Sequence, residues 1–165
     1  MGNEHKQIYQ GFELGPIRPP SEARSLLLRV TRNCPWNKCT FCSVYKQARF
    51  SFRPVEHIIQ EIDTIHQAIT IIRDKLEKSS RLSVEQLQPS DGRLTGDNRN
   101  IFYSALNWWL HGDGAVFLQD ANSLILKPKQ LMIILQHLRY CVFLKCHAPV
   151  SHIPFPSVTA FTSSL

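Results

Sequence analysis

Three of the five cysteines in this chain, Cys34, Cys39 and Cys42, fall within the stretch NCPWNKCTFC at Cys-x4-Cys-x2-Cys spacing. Thiolate sulfur is a soft donor that suits zinc, copper(I) and iron–sulfur clusters, so the number of ligands has to decide among them. A structural zinc site closes on four ligands. The local sequence supplies three, and the nearest histidine, His57, falls inside a strongly helical stretch. A four-iron cluster held by three thiolates leaves one iron without a protein ligand, open to bind and activate another molecule. Phe41, an aromatic between Cys39 and Cys42, is placed to shield sulfur, and Lys38 and Arg32 are placed to offset cluster charge. A zinc knuckle that draws a fourth ligand from elsewhere is the alternative. Cys141 and Cys146 lie in an apolar run and read as buried packing, not as ligands.

The elements that must position these thiols alternate in type. SLLLRVT, residues 25–31, is a short apolar run compatible with a strand, and it stops at Asn33-Cys34-Pro35, where proline ends regular pairing. After the cysteines, Val55, Ile58, Ile59, Ile62, Ile65, Ile69 and Ile72 recur at helical spacing behind Pro54. IFYSALNWWL, residues 101–110, reads as a second helix, broken by Gly112-Asp113-Gly114. AVFLQ follows as a buried strand, with Asp120, Ala121, Asn122 and Ser123 just past its C-terminal end, and Pro128 opens a third helix with Leu131, Ile134, Leu135 and Leu138 on one face. Strands apolar on both faces, alternating with helices, predict an α/β fold with a parallel sheet. Ligands on such sheets bind beyond the strand C-termini, the edge to which both the cysteine loop and residues 119–123 belong. The domain reading is an irregular Gly- and Pro-rich arm over 1–24, a core over 25–140 with an exposed polar excursion at about 75–100, and an atypical tail over 141–165.

Cys34, Cys39 and Cys42, with Phe41 directly before the last cysteine and a strand leading in, resemble the radical S-adenosylmethionine superfamily. RPPSEARSLLLRVTRNCPWNKCTFCSVYK followed by FSFRPVEHIIQEID looks like the opening of a subgroup with one extra residue in the first cysteine gap. AVFLQDANSLILKPKQLMIIL is similar to the second strand, ligand-contacting turn and following helix, so the resemblance covers residues 15–74 and 101–139. It implies a 4Fe-4S cluster on the three cysteines, with Phe41, Gln119, Asp120 and Asn122 about the bound S-adenosylmethionine. In that turn the superfamily often carries glycines, where this chain has Gln119, Asp120, Ala121 and Asn122. The implied chemistry is one-electron cleavage of the sulfonium to methionine and a 5′-deoxyadenosyl radical, which abstracts hydrogen from a substrate that the sequence does not name. An electron donor protein such as a flavodoxin or ferredoxin is the implied partner. The implied fold is a partial parallel (β/α) barrel of about six strand–helix units and roughly 200 residues. Two convincing strand units, with FPSVTAFTSSL as the start of a third, predict an incomplete version of it, inactive if the substrate half is missing.

Composition sets outer limits. A chain of 165 residues, 43% hydrophobic, can bury one sizeable core but not two ordinary domains. Nineteen Lys and Arg against 13 Asp and Glu leave a net +6, which favours acidic ligands or partners, nucleic acid among them. The basic residues are densest near the cysteines (Arg29, Arg32, Lys38, Lys46, Arg49, Arg53) and read as a solvated rim. A non-catalytic zinc-binding module whose rim contacts nucleic acid is therefore the second reading. No secretory signal and no membrane-length apolar run is found, which predicts a reducing cytoplasm, where clustered cysteines serve as ligands. Trp108 and Trp109 read as core with one ring partly exposed, the histidines as showing no metal-binding pair at i, i+4, and Asp120 and Asn122 equally as turn residues. Phosphate-loop, HExxH and GxSxG motifs are absent.

Overall fold

The computed structural model describes residues 8–9, 11–78, 83–87, 98–112, 114–144 and 158–160. Its centre is a parallel sheet. Strand β1 (Leu26–Arg29) is followed by β2 (Thr31–Arg32) and β3 (Ser51–Phe52), then by helices α1 (Val55–Lys78), α2 (Val84–Leu87) and α3 (Asn98–His111). Strand β4 (Val116–Gln119), helix α4 (Pro128–Leu138), a six-residue π-helical turn (Arg139–Leu144) and β5 (Val158–Ala160) complete the order. β4 lies between β1 and β5 and runs parallel to both. The three strands thus neighbour one another in chain order, with helices in each crossover, as in a singly wound β/α sheet. Among the described residues no closed barrel forms.

Helix α1 carries the isoleucine stripe. Ile58, Ile62, Ile65, Ile69 and Ile72 are all fully buried, and this burial outweighs the modest helix propensity of β-branched side chains. Pro54 stands just ahead of the first turn and its carbonyl accepts the N–H groups of His57 and Ile58 at 3.1 and 3.3 Å. Glu56 in the first turn and Lys75 and Lys78 in the last complement the helix dipole. The helix packs against α3 and α4. Leu26, Leu28 and Val30 of the first strand segment and Val116 and Leu118 of β4 join this helical core. Strand alternation puts Leu27, Phe117, Arg29 and Gln119 on the opposite face.

Trp108 is buried, with its indole N–H donating to the Ala115 carbonyl at 2.9 Å, while Trp109 is only partly buried against the core. α3 ends at His111, and at Gly112 any side chain would press on the Trp108 ring, 2.9 Å from its Cδ1. The excursion expected over residues 75–100 is narrower than its composition suggested. Residues 75–78 extend α1, Leu87 of α2 is 2% exposed and joins the core, and α3 begins at Asn98. Residues 79–82 and 88–97, like Cys146 and most of the tail from 145 onward, lie outside the described residues.

Candidate functional site

The parallel register brings β1 and β4 to an end on the same rung, Arg29 opposite Gln119, and the Val30 N–H then donates to the Gln119 carbonyl at 2.7 Å. Beyond that rung β2 turns away to pair antiparallel with β3, Thr31 opposite Phe52 and Arg32 opposite Ser51. This short ladder pinches residues 33–50 into a closed loop that holds the three cysteines. Asn33, Asn37 and Gln47 take left-handed backbone conformations, φ 65°, 45° and 67°, a region that asparagine tolerates better than most residues. The two asparagines also bolt the loop across its base. Asn33 donates its side-chain amide to the Arg49 carbonyl at 2.7 Å, and Asn37 donates to the Ala48 carbonyl at 3.0 Å.

Cys34, Cys39 and Cys42 are free of disulfides and partly exposed. The Asn37 N–H points at Cys34 Sγ from 3.4 Å, the kind of bond by which proteins steady charge on a ligating sulfur. The loop offers three thiols, yet among the described residues they are not gathered into a tight cluster, either with one another or with another His, Cys, Asp or Glu. Three thiols suit a cluster with an open iron better than a closed zinc tetrahedron. Phe41 is 87% exposed. The Lys38 ammonium lies 5.5 Å from the Trp36 ring centroid.

The loop hangs on Asp120. This carboxylate, just past β4, is 1% exposed; its Oδ2 accepts from the Asn33 N–H at 2.8 Å and from Arg29 Nη2 and Nε at 2.8 and 3.2 Å. Its Oδ1 accepts from the hydroxyl of buried Tyr45. Burial first, then the hydrogen bond and charge of Asp120, push the Tyr45 hydroxyl far above its ordinary range and hold it as a neutral donor. Gln119 is also engaged. Its Oε1 accepts the Gly15 N–H at 2.9 Å and its Nε2 donates to the Ile17 carbonyl at 2.8 Å, so the N-terminal arm is strapped across the sheet edge. Between Ile17, Tyr45, Phe117 and Asp120 remains a cavity of about 10 Å³, at the lower limit for one water molecule. Of the three polar residues Gln119, Asp120 and Asn122 of the predicted turn, only Asn122, half-buried, makes no side-chain hydrogen bond among the described residues.

The expected basic rim is instead partly a buried ion-pair network. Arg32 forks onto Glu13 at 2.7 and 2.6 Å. Arg53, with a side chain 0% exposed, reaches Glu61 Oε2 at 2.7 Å and lies 3.3 Å from Glu13 Oε1, and it also donates to the Arg29 carbonyl. Burial raises the Glu13 carboxyl, but the Arg32 hydrogen bond and the charges of Arg53, Arg32 and Arg29 outweigh it, so Glu13 titrates below its ordinary value. Glu61 goes the other way: burial dominates over Arg53 and raises it, and its Oε1 has no hydrogen-bond partner. Charge density near the cysteines was visible in the sequence, but the acids that consume it were not, because Glu13, Glu61 and Asp120 arrive from distant segments.

A second cluster escaped sequence reasoning. Asp63 on α1, His137 on α4 and Cys141 in the π-helical turn bring one ligand atom each to within 4.8 Å of one another. Cys141 is buried, as expected, yet its Sγ is 3.5 Å from His137 Nε2. The signal for it in the sequence is the His137–Cys141 pair at i, i+4.

Among the described residues no helix is long and apolar enough to cross a membrane. Comparison with family models, with curated proteins and with solved structures gave no match for this chain.

Proposed function

We propose that this α/β chain is an iron–sulfur protein in which Cys34, Cys39 and Cys42 hold a 4Fe-4S cluster at the C-terminal edge of the parallel sheet. Within that class, the resemblance of the cysteine stretch favours a radical S-adenosylmethionine domain built on the opening of a partial (β/α) barrel. The observation that carries the reading is the three-thiol loop fastened by Asp120 to the end of the neighbouring parallel strand. A bound cluster with S-adenosylmethionine supplies reductive cleavage of the sulfonium to a 5′-deoxyadenosyl radical. The chain's own residues position and shield. Asp120, Arg29 and Tyr45 fix the loop, Asn33 and Asn37 set its turns, and the Asn37 N–H stabilises charge on Cys34.

Gln119 and Asp120 are positioning residues in this reading, since their polar atoms are already engaged by the arm and the loop. Asn122 is left to meet a ligand amino or carboxylate group. The cavity beside Asp120 is far too small for S-adenosylmethionine, so cofactor entry requires the arm at Gly15 and Ile17 to lift from Gln119, or the cofactor to sit on the exposed side of the loop. A reducing compartment, the cytoplasm, and an electron donor such as a flavodoxin or ferredoxin belong to the same proposal.

The test is anaerobic reconstitution with iron and sulfide, with metal analysis and EPR of the dithionite-reduced protein. The expected result is a cluster signal that changes when S-adenosylmethionine is added and that is lost in Cys34→Ala, Cys39→Ala and Cys42→Ala. A cluster indifferent to the cofactor would retain the iron–sulfur class and remove the radical chemistry. Stoichiometric zinc without sulfide would replace both with the zinc-binding, nucleic-acid-contacting reading.

A further inference from the structure

Asp63, His137 and Cys141 lie away from the cysteine loop, where α1 packs against α4 and the turn that follows it. Their ligand atoms are mutually close: His137 Nε2 to Asp63 Oδ1 2.7 Å, Cys141 Sγ to His137 Nε2 3.5 Å and Cys141 Sγ to Asp63 Oδ1 3.7 Å. A nucleophilic relay has a different shape, because its carboxylate binds the ring nitrogen remote from the nucleophile. Here carboxylate and thiol share one nitrogen, so three donors converge on one point.

We propose that these three side chains form a binding site for a divalent cation of the zinc class, distinct from the cysteine loop and independent of the reading given to that loop. Thiolate, imidazole and carboxylate together are a borderline donor set that suits zinc. With ordinary zinc–ligand bond lengths, a tetrahedron has S···N and S···O edges of about 3.6 Å and an N···O edge of about 3.4 Å. The two edges to sulfur already match. The third is held at hydrogen-bond length by the His137–Asp63 contact; binding of the ion releases the Cys141 thiol proton to solvent and holds His137 as the Nδ1–H tautomer, with its Nε2 lone pair turned to the ion as the edge opens. Cys141 is 4% exposed, while the side chains of His137 and Asp63 are 29% and 49% exposed. The sulfur thus floors the site, and the outward face leaves a fourth position for water. π-Helical turns recur at functional sites, and this one carries Cys141 four residues after His137. Bound there, the ion cross-links α1 to α4.

The probe is cobalt(II), whose thiolate charge-transfer and tetrahedral ligand-field absorption report the donor set. In the full chain carrying Cys34→Ala, Cys39→Ala, Cys42→Ala and Cys146→Ala, Cys141 is the sole thiol. One equivalent of cobalt with thiolate charge transfer is expected, displaced by zinc, and weakened by about tenfold or more in Asp63→Asn and in His137→Gln. Absence of thiolate charge transfer in that folded variant, or unchanged affinity in Asp63→Asn, overturns the proposal. If the four-alanine chain does not fold, the wild-type chain serves. Zinc should raise its Tm, part of that rise should vanish in Asp63→Asn, which is half exposed and preserves shape, and an identical rise in both proteins overturns the proposal.

Discussion

The Asp120 carboxylate accepts the backbone N–H of Asn33 at 2.8 Å across 87 residues of chain. One buried side chain thereby ties the left-handed residue that opens the cysteine loop to the end of the adjacent parallel strand.

Removing that carboxylate should therefore be costly twice over. Asp120→Ala leaves Arg29 facing a buried vacancy and frees Asn33 and Tyr45, and a destabilisation of about 3–5 kcal/mol is expected. Asp120→Asn, which keeps an acceptor but no charge, should fall between this variant and the wild type. Urea unfolding measures the first effect, and iron retained after anaerobic reconstitution measures the second. Wild-type iron content in a folded Asp120→Ala protein would show that the loop does not depend on this anchor.

Arg53 and Glu61 form a pair with both side chains 0% exposed. Cutting Arg53 back to Met strands a carboxylate that burial already disfavours, and a loss of about 3–5 kcal/mol is expected. The double variant Arg53→Met, Glu61→Leu should recover most of it, because an apolar pair of similar volume needs no desolvation of charge. A double-mutant cycle by chemical denaturation checks this, and additive losses would refute the coupling.

Glu13 should give the chain part of its acid sensitivity. Its folded-state value lies below the ordinary 4.5, so the stability it contributes is complete above that pH and is lost as pH falls through the depressed folded value. In Glu13→Gln the corresponding segment of the stability–pH curve should flatten, with the difference from wild type shrinking as the medium becomes more acid. Parallel curves for the two proteins would remove Glu13 from the acid response.

Much of the frame was legible in the sequence. The isoleucine spacing of α1 needs only a helical period to predict its buried stripe, and the runs around Leu26–Arg29 and Val116–Gln119 are apolar on both faces, as parallel strands covered by helices must be. The two-residue strands β2 and β3 were not readable, since their pairing depends on closure of the loop between them. The strap from Gln119 to Gly15 and Ile17 was equally hidden, because a glutamine at the end of a strand looks the same whether it awaits a ligand or holds the chain's own backbone. At the second cluster His137 and Cys141 share a helical face in the sequence, but Asp63 joins them only through packing of α1 on α4.

The strap and the anchor also impose an order on biosynthesis. Gly15 meets Gln119 across 104 residues and Asn33 meets Asp120 across 87, so the loop's thiols emerge from the ribosome long before the residues that shape their loop exist. Loops closed by such distant contacts form late, after the entropy of closure has been met. During that interval Cys34, Cys39 and Cys42 belong to an unfinished chain, exposed to oxidation and to whatever metal is at hand. On the iron–sulfur proposal, delivery of the metal must then either wait for β4 or be guarded until it docks.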